Sequence, residues 1–255
     1  GQNITALEVD GVFDDCQEMV KTAFLDTSLS SINLTSANSI NVARWLPQMF
    51  YYFIAYRALK NKNKKLVFSV PSGNFGNVCA GIMGRQMGLP IDHFIASTNV
   101  NDAVPRFLKT GNYDPMPTIQ TISNAMDVGN PSNFIRIQKI FNNDVVKMKK
   151  ILSGFRYTDQ ETKKALKEIY ALKNYIADPH GAIGYLGLKE YLEQKNEDYY
   201  GVFLETAHPV KFLDTVNNTL KLEVEIPERL KDTLSKEKTS IPIKDYGELK
   251  SYLLN

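Results

Sequence analysis

Three stretches of this 255-residue chain set glycines and polar side chains where they could hold a ligand, two of them an anion. The first is Leu66-Val67-Phe68-Ser69-Val70-Pro71-Ser72-Gly73-Asn74-Phe75-Gly76-Asn77. Its apolar run reads as a buried strand, and the loop that follows carries two glycines and the start of a helix. Glycine lets the backbone turn tightly and come close to a ligand. Successive amide N–H groups can then line a concavity at a helix N-terminus, which suits an anion. A tight strand-to-helix turn that binds nothing accounts for the same residues. A Walker loop would need Gly-Lys-Ser/Thr after Gly76, and none is present. A dinucleotide fingerprint would need G-x-G-x-x-G and an acid closing the next strand. Here the spacing is G-x-x-G, and the next strand ends at Ser97-Thr98-Asn99.

The second stretch is Thr35-Ser36-Ala37-Asn38-Ser39-Ile40-Asn41-Val42-Ala43-Arg44. A helix beginning near Ser39 would put Asn38, Asn41 and Arg44 on one side, with Asn38 as cap. Ser39 adds a hydroxyl, and Arg44 adds a planar fork that matches phosphate oxygens. An N-cap beside a solvated arginine is the plainer alternative. The third stretch, Gly201 to Lys211, is a strand that ends at Thr206-Ala207-His208-Pro209. Strand ends are where α/β sheets place ligands, and Pro209 suits the first turn of a following helix.

These stretches need a scaffold, and the pattern supplies one. Strands are expected at Ile4–Val9, Ser31–Leu34, Leu66–Val70, Phe94–Ala96, Ile119–Ile122 and Tyr200–Leu204. Helices are expected at Asp14–Phe24, Ile40–Lys60, Phe75–Met87, Asp102–Lys109, Ser132–Phe141, Val145–Leu152, Asp159–Lys173, Ala182–Gln194, Val210–Leu220 and Pro227–Lys236. The alternation predicts an α/β protein, a mainly parallel sheet flanked by helices. The strand-to-helix change near Asn38–Arg44 suggests a division into residues 1–40 and 41–255.

Composition narrows the function classes. Hydrophobic residues make up 43% of the chain, enough for a sizeable core. A net charge of +2, from 30 basic and 28 acidic residues, gives no electrostatic case for nucleic acid or an anionic membrane. The lysines at Lys60–Lys65 and Lys147–Lys150 form only short patches. The most apolar stretch, Met49–Tyr56, is far short of the roughly 18 apolar residues of a membrane span. Cys16 and Cys79 form no C-x-x-C pair, and His93, His180 and His208 lie far apart. A disulfide framework and a metal site are therefore not supported, and reduced thiols in a cytoplasmic protein are expected. The chain opens on Gly1 without a signal-peptide pattern, as if cut from something longer.

Ser72-Gly73-Asn74-Phe75-Gly76-Asn77 resembles the cofactor-phosphate loop of threonine synthases, pyridoxal-phosphate (PLP) enzymes of the tryptophan-synthase-β-like group. Val9-Asp10-Gly11-Val12-Phe13-Asp14-Asp15-Cys16-Gln17 and Ser123-Asn124-Ala125-Met126-Asp127-Val128-Gly129-Asn130-Pro131-Ser132-Asn133 are similar to the long, bacterial and fungal branch of that family. The resemblance covers nearly the whole chain. It implies PLP fold type II, with residues 41–255 as the large cofactor-binding domain and residues 1–40 as the remnant of a smaller lobe.

The resemblance also implies roles. The amides and Asn side chains of Gly73, Asn74, Phe75, Gly76 and Asn77 would hold the PLP phosphate, and Thr206 would bond the pyridine nitrogen. Asn38, Ser39 and Arg44 would contact the phosphate of O-phospho-L-homoserine, with Asn41 structural. Asp178-Pro179-His180-Gly181 also matches, with Asp178 as N-cap and Pro179 at the first helical position. The implied reaction is lyase chemistry giving L-threonine and phosphate. The Schiff-base lysine of the family sits in a Phe-Lys-Asp-type segment that this sequence lacks. It is expected in an N-terminal part of the same protein, and that part is the expected partner. A related phospholyase, or a non-catalytic phosphate-binding domain, remains open at this point.

Overall fold

The protein is described by a computed structural model covering residues 3–59, 63–195, 197–234 and 236–255. Gly1 and Lys60, both named above, lie outside the described residues. The chain divides into two compact units, one of residues 1–35 and 225–255 and the other of residues 36–224.

In the first unit, β1 (Leu7–Val9) pairs in parallel with β6 (Ile241–Ile243), Leu7 opposite Ile241. Helix α1 (Phe13–Leu25) packs against α11 (Tyr246–Leu254). Asp26, just after α1, accepts hydrogen bonds from the Tyr246 hydroxyl and the Lys250 ammonium. These contacts correct the expected division at residue 40. The last thirty or so residues belong with the N-terminal segment because strand β6 and helix α11 pack there.

The second unit is built on a four-stranded, all-parallel sheet in the order β4-β3-β2-β5. The strands are β2 (Lys65–Pro71), β3 (His93–Thr98), β4 (Leu152–Arg156) and β5 (Tyr199–Phe203). Strand β2 is buried from Leu66 to Pro71, as an apolar run in the middle of a covered parallel sheet must be. Its side chains alternate between two helical layers. Leu66, Phe68 and Val70 face a cluster with α2 (Trp45–Ala58) and α3 (Gly76–Gln86). Val67 joins Ile95, Leu188 and Tyr191 on the face of α8 (Pro179–Glu193). Burying a side chain such as Phe68 contributes roughly 1.5–3 kcal/mol.

Small residues set the close approaches. A β-carbon at Gly81 of α3 would lie 2.6 Å from the rings of Tyr52 and Phe94. At Gly187 of α8 it would lie 1.9 Å from Ser97 Oγ. The Ser69 hydroxyl donates to the Gly184 carbonyl at 2.6 Å, tying β2 to α8.

Several expected elements differ. No strand forms at Ser31–Leu34 or at Ile119–Ile122. Asn101 takes up the backbone of Ile119 on both its N–H and C=O. Residues 38–44 form successive turns rather than a helix start, with α2 beginning at Trp45. Asn41, not Asn38, caps the 42–44 turn through Ala43 N–H. The expected helix Val145–Leu152 stops at Ile151 as α6 (Val145–Ile151), and β4 begins at once. Helix α7 (Asp159–Lys173) matches its expected bounds and carries a Thr158–Glu161 capping box.

His93, at the start of β3, is buried with its ring stacked on Tyr191 and Nε2 2.7 Å from Ser153 Oγ. Burial pushes its imidazole down to about 4 from 6.5. Between those values the unfolded chain binds a proton that the folded one refuses, so stability is lost as pH falls through that window. His93→Gln is expected to lose less stability than wild type between about pH 7 and pH 4.5, read from urea midpoints. Equal losses would mean that His93 does not carry this linkage.

Candidate functional site

The carboxyl ends of β2 and β5 lie side by side, Ser69 opposite Phe203. These strands are sheet neighbours but far apart in sequence, the arrangement that opens a crevice in α/β sheets. An open cleft of about 780 Å³ lies there, walled by Ser39, Arg44, Gln48 and Tyr51 on one side. The loop 73–77, Ala125 and Met126, and the segment 204–207 with His180 and Lys211 complete it.

The glycine loop is positioned from several directions. Phe75 has a left-handed backbone, φ 63° and ψ 11°, at the N-cap of α3. Such a conformation is strained for a bulky residue. The ring is buried and meets Phe134 edge-on at 6.2 Å. Phe75 thus offers the cleft its backbone, not its ring. The Tyr52 hydroxyl donates to the Asn77 carbonyl at 2.7 Å. Asn77 spends its side chain on the loop, donating to the Pro71 carbonyl and accepting from Val78 N–H. Asn74 Oδ1 accepts from the Ser132 amide and hydroxyl. The Asn side chains therefore build the loop. Val78 N–H is taken by Asn77 and Cys79 N–H by the Phe75 carbonyl, so the amides of Gly76 and Asn77 at the start of α3 are what it can present to an anion.

Ser39 joins the two candidate anion segments. Its Oγ accepts from Asn74 Nδ2 at 3.1 Å and from Asn133 Nδ2 at 2.9 Å. It donates to Asn38 Oδ1 at 3.2 Å. A β-carbon at Gly76 would come 2.8 Å from Ser39 Cβ, so only glycine permits the contact. Ser39 and Arg44 line the cleft, whereas Asn38 is not among its walls and meets it only through Ser39. Arg44 is exposed at the rim.

The segment after β3 is braced by a polar network. Asp127 Oδ1 accepts from Asn99 Nδ2 at 2.7 Å and from the Thr121 hydroxyl at 2.7 Å. Burial raises the Asp127 carboxyl against these hydrogen bonds. This network holds Ala125 and Met126 against Gly73, where a β-carbon would lie 2.8 Å from Met126 Cα.

On the far wall, Asp178 caps α8 through His180 N–H at 2.7 Å, with Pro179 in the first turn. His180 is buried, its ring edge-on to Phe212, and burial lowers its imidazole. His208 caps the 209–212 turn, its Nδ1 accepting from Val210 N–H at 3.2 Å. This is a loop-holding contact. Thr206 is exposed on the cleft beside Glu205.

Glu205 was not visible from the sequence as a site residue. Its carboxyl occupies the space beside Gly181, where a β-carbon would be 2.1 Å from Oε1. Glu205 is exposed toward the cleft, yet the protein packed around its carboxyl, which draws it partly out of water, and the adjacent Asp178 carboxyl raise it to about 9. Asp178 Oδ2 is buried and lacks a donor unless Glu205 keeps its proton. The arrangement offers a cleft lined by anion donors and by the carboxyl of Glu205, the hydroxyl of Thr206 and the side chain of Lys211.

A family model described as pyridoxal-phosphate dependent enzyme matches residues 1–203. The chain belongs to that family. A second model, threonine synthase, C-terminal, matches residues 181–253. Threonine synthase from Buchnera aphidicola (Acyrthosiphon pisum) is 44% identical over all of this chain and 59% of its own length. The Escherichia coli threonine synthase is 40% identical, with the same coverage. The crystal structure of the Escherichia coli enzyme superposes with a TM-score of 0.93, over 100% of this chain and 59% of that one. The PLP-bound Brucella melitensis threonine synthase gives 0.83 at 32% identity, covering 98% and 59%. The chain is thus a threonine synthase homologue of fold type II that spans about three-fifths of its relatives' length. Among the described residues no helix is long and apolar enough to cross a membrane.

The Glu205 assignment can be tested by pH. A carboxyl raised in the folded state keeps its proton after the unfolded chain has lost it. Its stabilisation is complete below the unfolded value near 4.5 and falls as pH rises toward about 9. Glu205→Gln keeps the shape and a donor for Asp178 but removes the titration. Its melting temperature is expected to fall less than that of wild type between about pH 5 and pH 9. Parallel curves would dissolve the acid pair.

Proposed function

We propose that the chain is the C-terminal part of a threonine synthase, converting O-phospho-L-homoserine and water to L-threonine and phosphate. The observation that carries this reading is the Ser39 hydroxyl, bonded to Asn74 of the glycine loop and flanked by the Arg44 turn in one cleft. A reaction on a phosphorylated substrate with a phosphorylated cofactor needs two anion sites within a small molecule's length. A cytoplasmic enzyme is the setting this reading implies.

The residues fit PLP. Gly73 and Gly76 leave no room for a β-carbon, and the amides of residues 73–77 border the cleft at a helix start. They would hold the cofactor phosphate. Thr206, across the cleft, would bond the pyridine nitrogen through a neutral hydroxyl and so leave it largely unprotonated. The bound cofactor supplies an electron sink for a carbanion on the substrate. Ser39 and Arg44 would orient the substrate phosphate and stabilise the charge it carries away on leaving. Ser39 must redirect its one proton from Asn38 to do so, since both its lone pairs are taken. Asn38 becomes a competitor for that proton instead of a phosphate ligand. No residue of this chain is assigned the Schiff-base role.

Arg44→Lys, in the full-length protein that carries this chain, is expected to lower kcat/KM for O-phospho-L-homoserine by about 1.5–3 kcal/mol. Lysine keeps the charge and loses the two-pronged contact. Threonine and phosphate released in equal amounts by wild type would support the reaction, and unchanged kinetics in the variant would remove Arg44 from the site.

A further inference from the structure

The Ser39 turn is gripped from behind by Arg136 of α5 (Phe134–Ile140), 97 residues along the chain. Arg136 Nη1 donates to the Ser39 carbonyl at 2.8 Å and to Asn133 Oδ1 at 2.7 Å. Its Nη2 donates to the Ile40 carbonyl at 2.5 Å. The guanidinium lies over the Trp45 ring, 5.2 Å from its centroid. These partners, two carbonyls, an amide oxygen and an indole, are all neutral.

Two consequences follow for the turn. A carbonyl oxygen directed at a phosphate would repel it, and here two successive carbonyls are engaged by Arg136, which is not among the walls of the cleft. The Asn133 amide, fixed by the same guanidinium, places its Nδ2 on Ser39 Oγ. Because no carboxylate is among these partners, the charge of Arg136 is left to act on its surroundings. The group is half-buried, where salt screens it less than at the surface.

We infer that Arg136 is a positioning residue for the anion faced by Ser39 and Arg44: it turns the Ser39 and Ile40 carbonyls away from the cleft and lends the site an unneutralised positive charge. This rests on the reading of the 38–44 turn as a phosphate site. Arg136 need not touch the anion, so its effect is distinct from that of Arg44.

The test is titration of the protein with inorganic phosphate, followed by calorimetry and by the emission of Trp45, the chain's single tryptophan. Wild type is expected to bind with a change in Trp45 emission. Arg136→Gln should weaken binding about tenfold, the scale of one charge-assisted contact. Arg136→Lys, keeping the charge but not the fork, should recover part of this and lie roughly threefold below wild type. A role confined to stiffness would lower the melting temperature of Arg136→Gln and leave its affinity, measured while folded, unchanged. That result overturns the inference. If Arg136→Gln does not fold, Arg136→Lys decides, and wild-type affinity in it overturns the inference equally. Arg44→Gln separates the two levels. If it weakens binding while the Arg136 variants do not, only the inference fails. If it has no effect, or wild type does not bind phosphate, the site reading fails and takes the inference with it.

Discussion

One hydroxyl fixes the geometry on which the cleft depends. Ser39 Oγ has one proton and two lone pairs, and all three are engaged, by Asn38, Asn74 and Asn133. Each bond is worth only about 0.5–1.5 kcal/mol net, but a lost partner would strand an amide in a largely dry place. Three segments distant in sequence, 36–44, 73–77 and 132–136, are therefore locked to one another by neutral groups. Gly76 is the steric condition for this lock, since any side chain there would strike Ser39. The strength of the arrangement lies in mutual dependence rather than in any one contact.

The sheet delivers the parts to this point. Strands β2, β3 and β4 succeed one another outward, and β5 then returns to the other side of β2. The loops after β2 and β5 consequently open toward one crevice. The close packing of α8 through Gly184 and Gly187 brings its N-terminus, with Asp178 and His180, to the same end. Two carboxyls then meet at one helix start, and the second, Glu205, is accommodated by keeping its proton.

Much of this was legible in the sequence, for identifiable reasons. Strand β2 and helix α7 announce themselves by a continuous apolar run and by a capping box, signals that local packing reinforces. The glycine loop was legible because its chemistry is contiguous. Strand β4 was not, because Leu152–Arg156 is short, contains a glycine and follows α6 without a break. The turns at 38–44 were read as helix because i, i+3, i+6 spacing fits a helix. The side chains of Ser36 and Asn41 instead bind the local backbone, which is the competition these residue types bring. Arg136 and Glu205 were invisible as site residues because their partners lie 97 and 27 positions away, and the role of Asn133 was hidden for the same reason, its partner Ser39 lying 94 positions away. No local spacing encodes such meetings.

Phe75 shows how the fold supplies rigidity where a glycine would not. A left-handed backbone costs a bulky residue of order 1–2 kcal/mol. Glycine would remove that strain but would also free the loop to adopt many conformations when empty. Phe75 accepts the strain because its ring is fully enclosed between α3 and Phe134, a burial worth more than the cost. The amides that follow it are therefore already aimed when an anion arrives. Ordering the loop then takes little from the binding free energy, and the donors lose nothing to reorganisation as charge develops. The same logic applies to the Ser39 turn, where Arg136 and Asn133 do from behind what the Phe75 ring does from below.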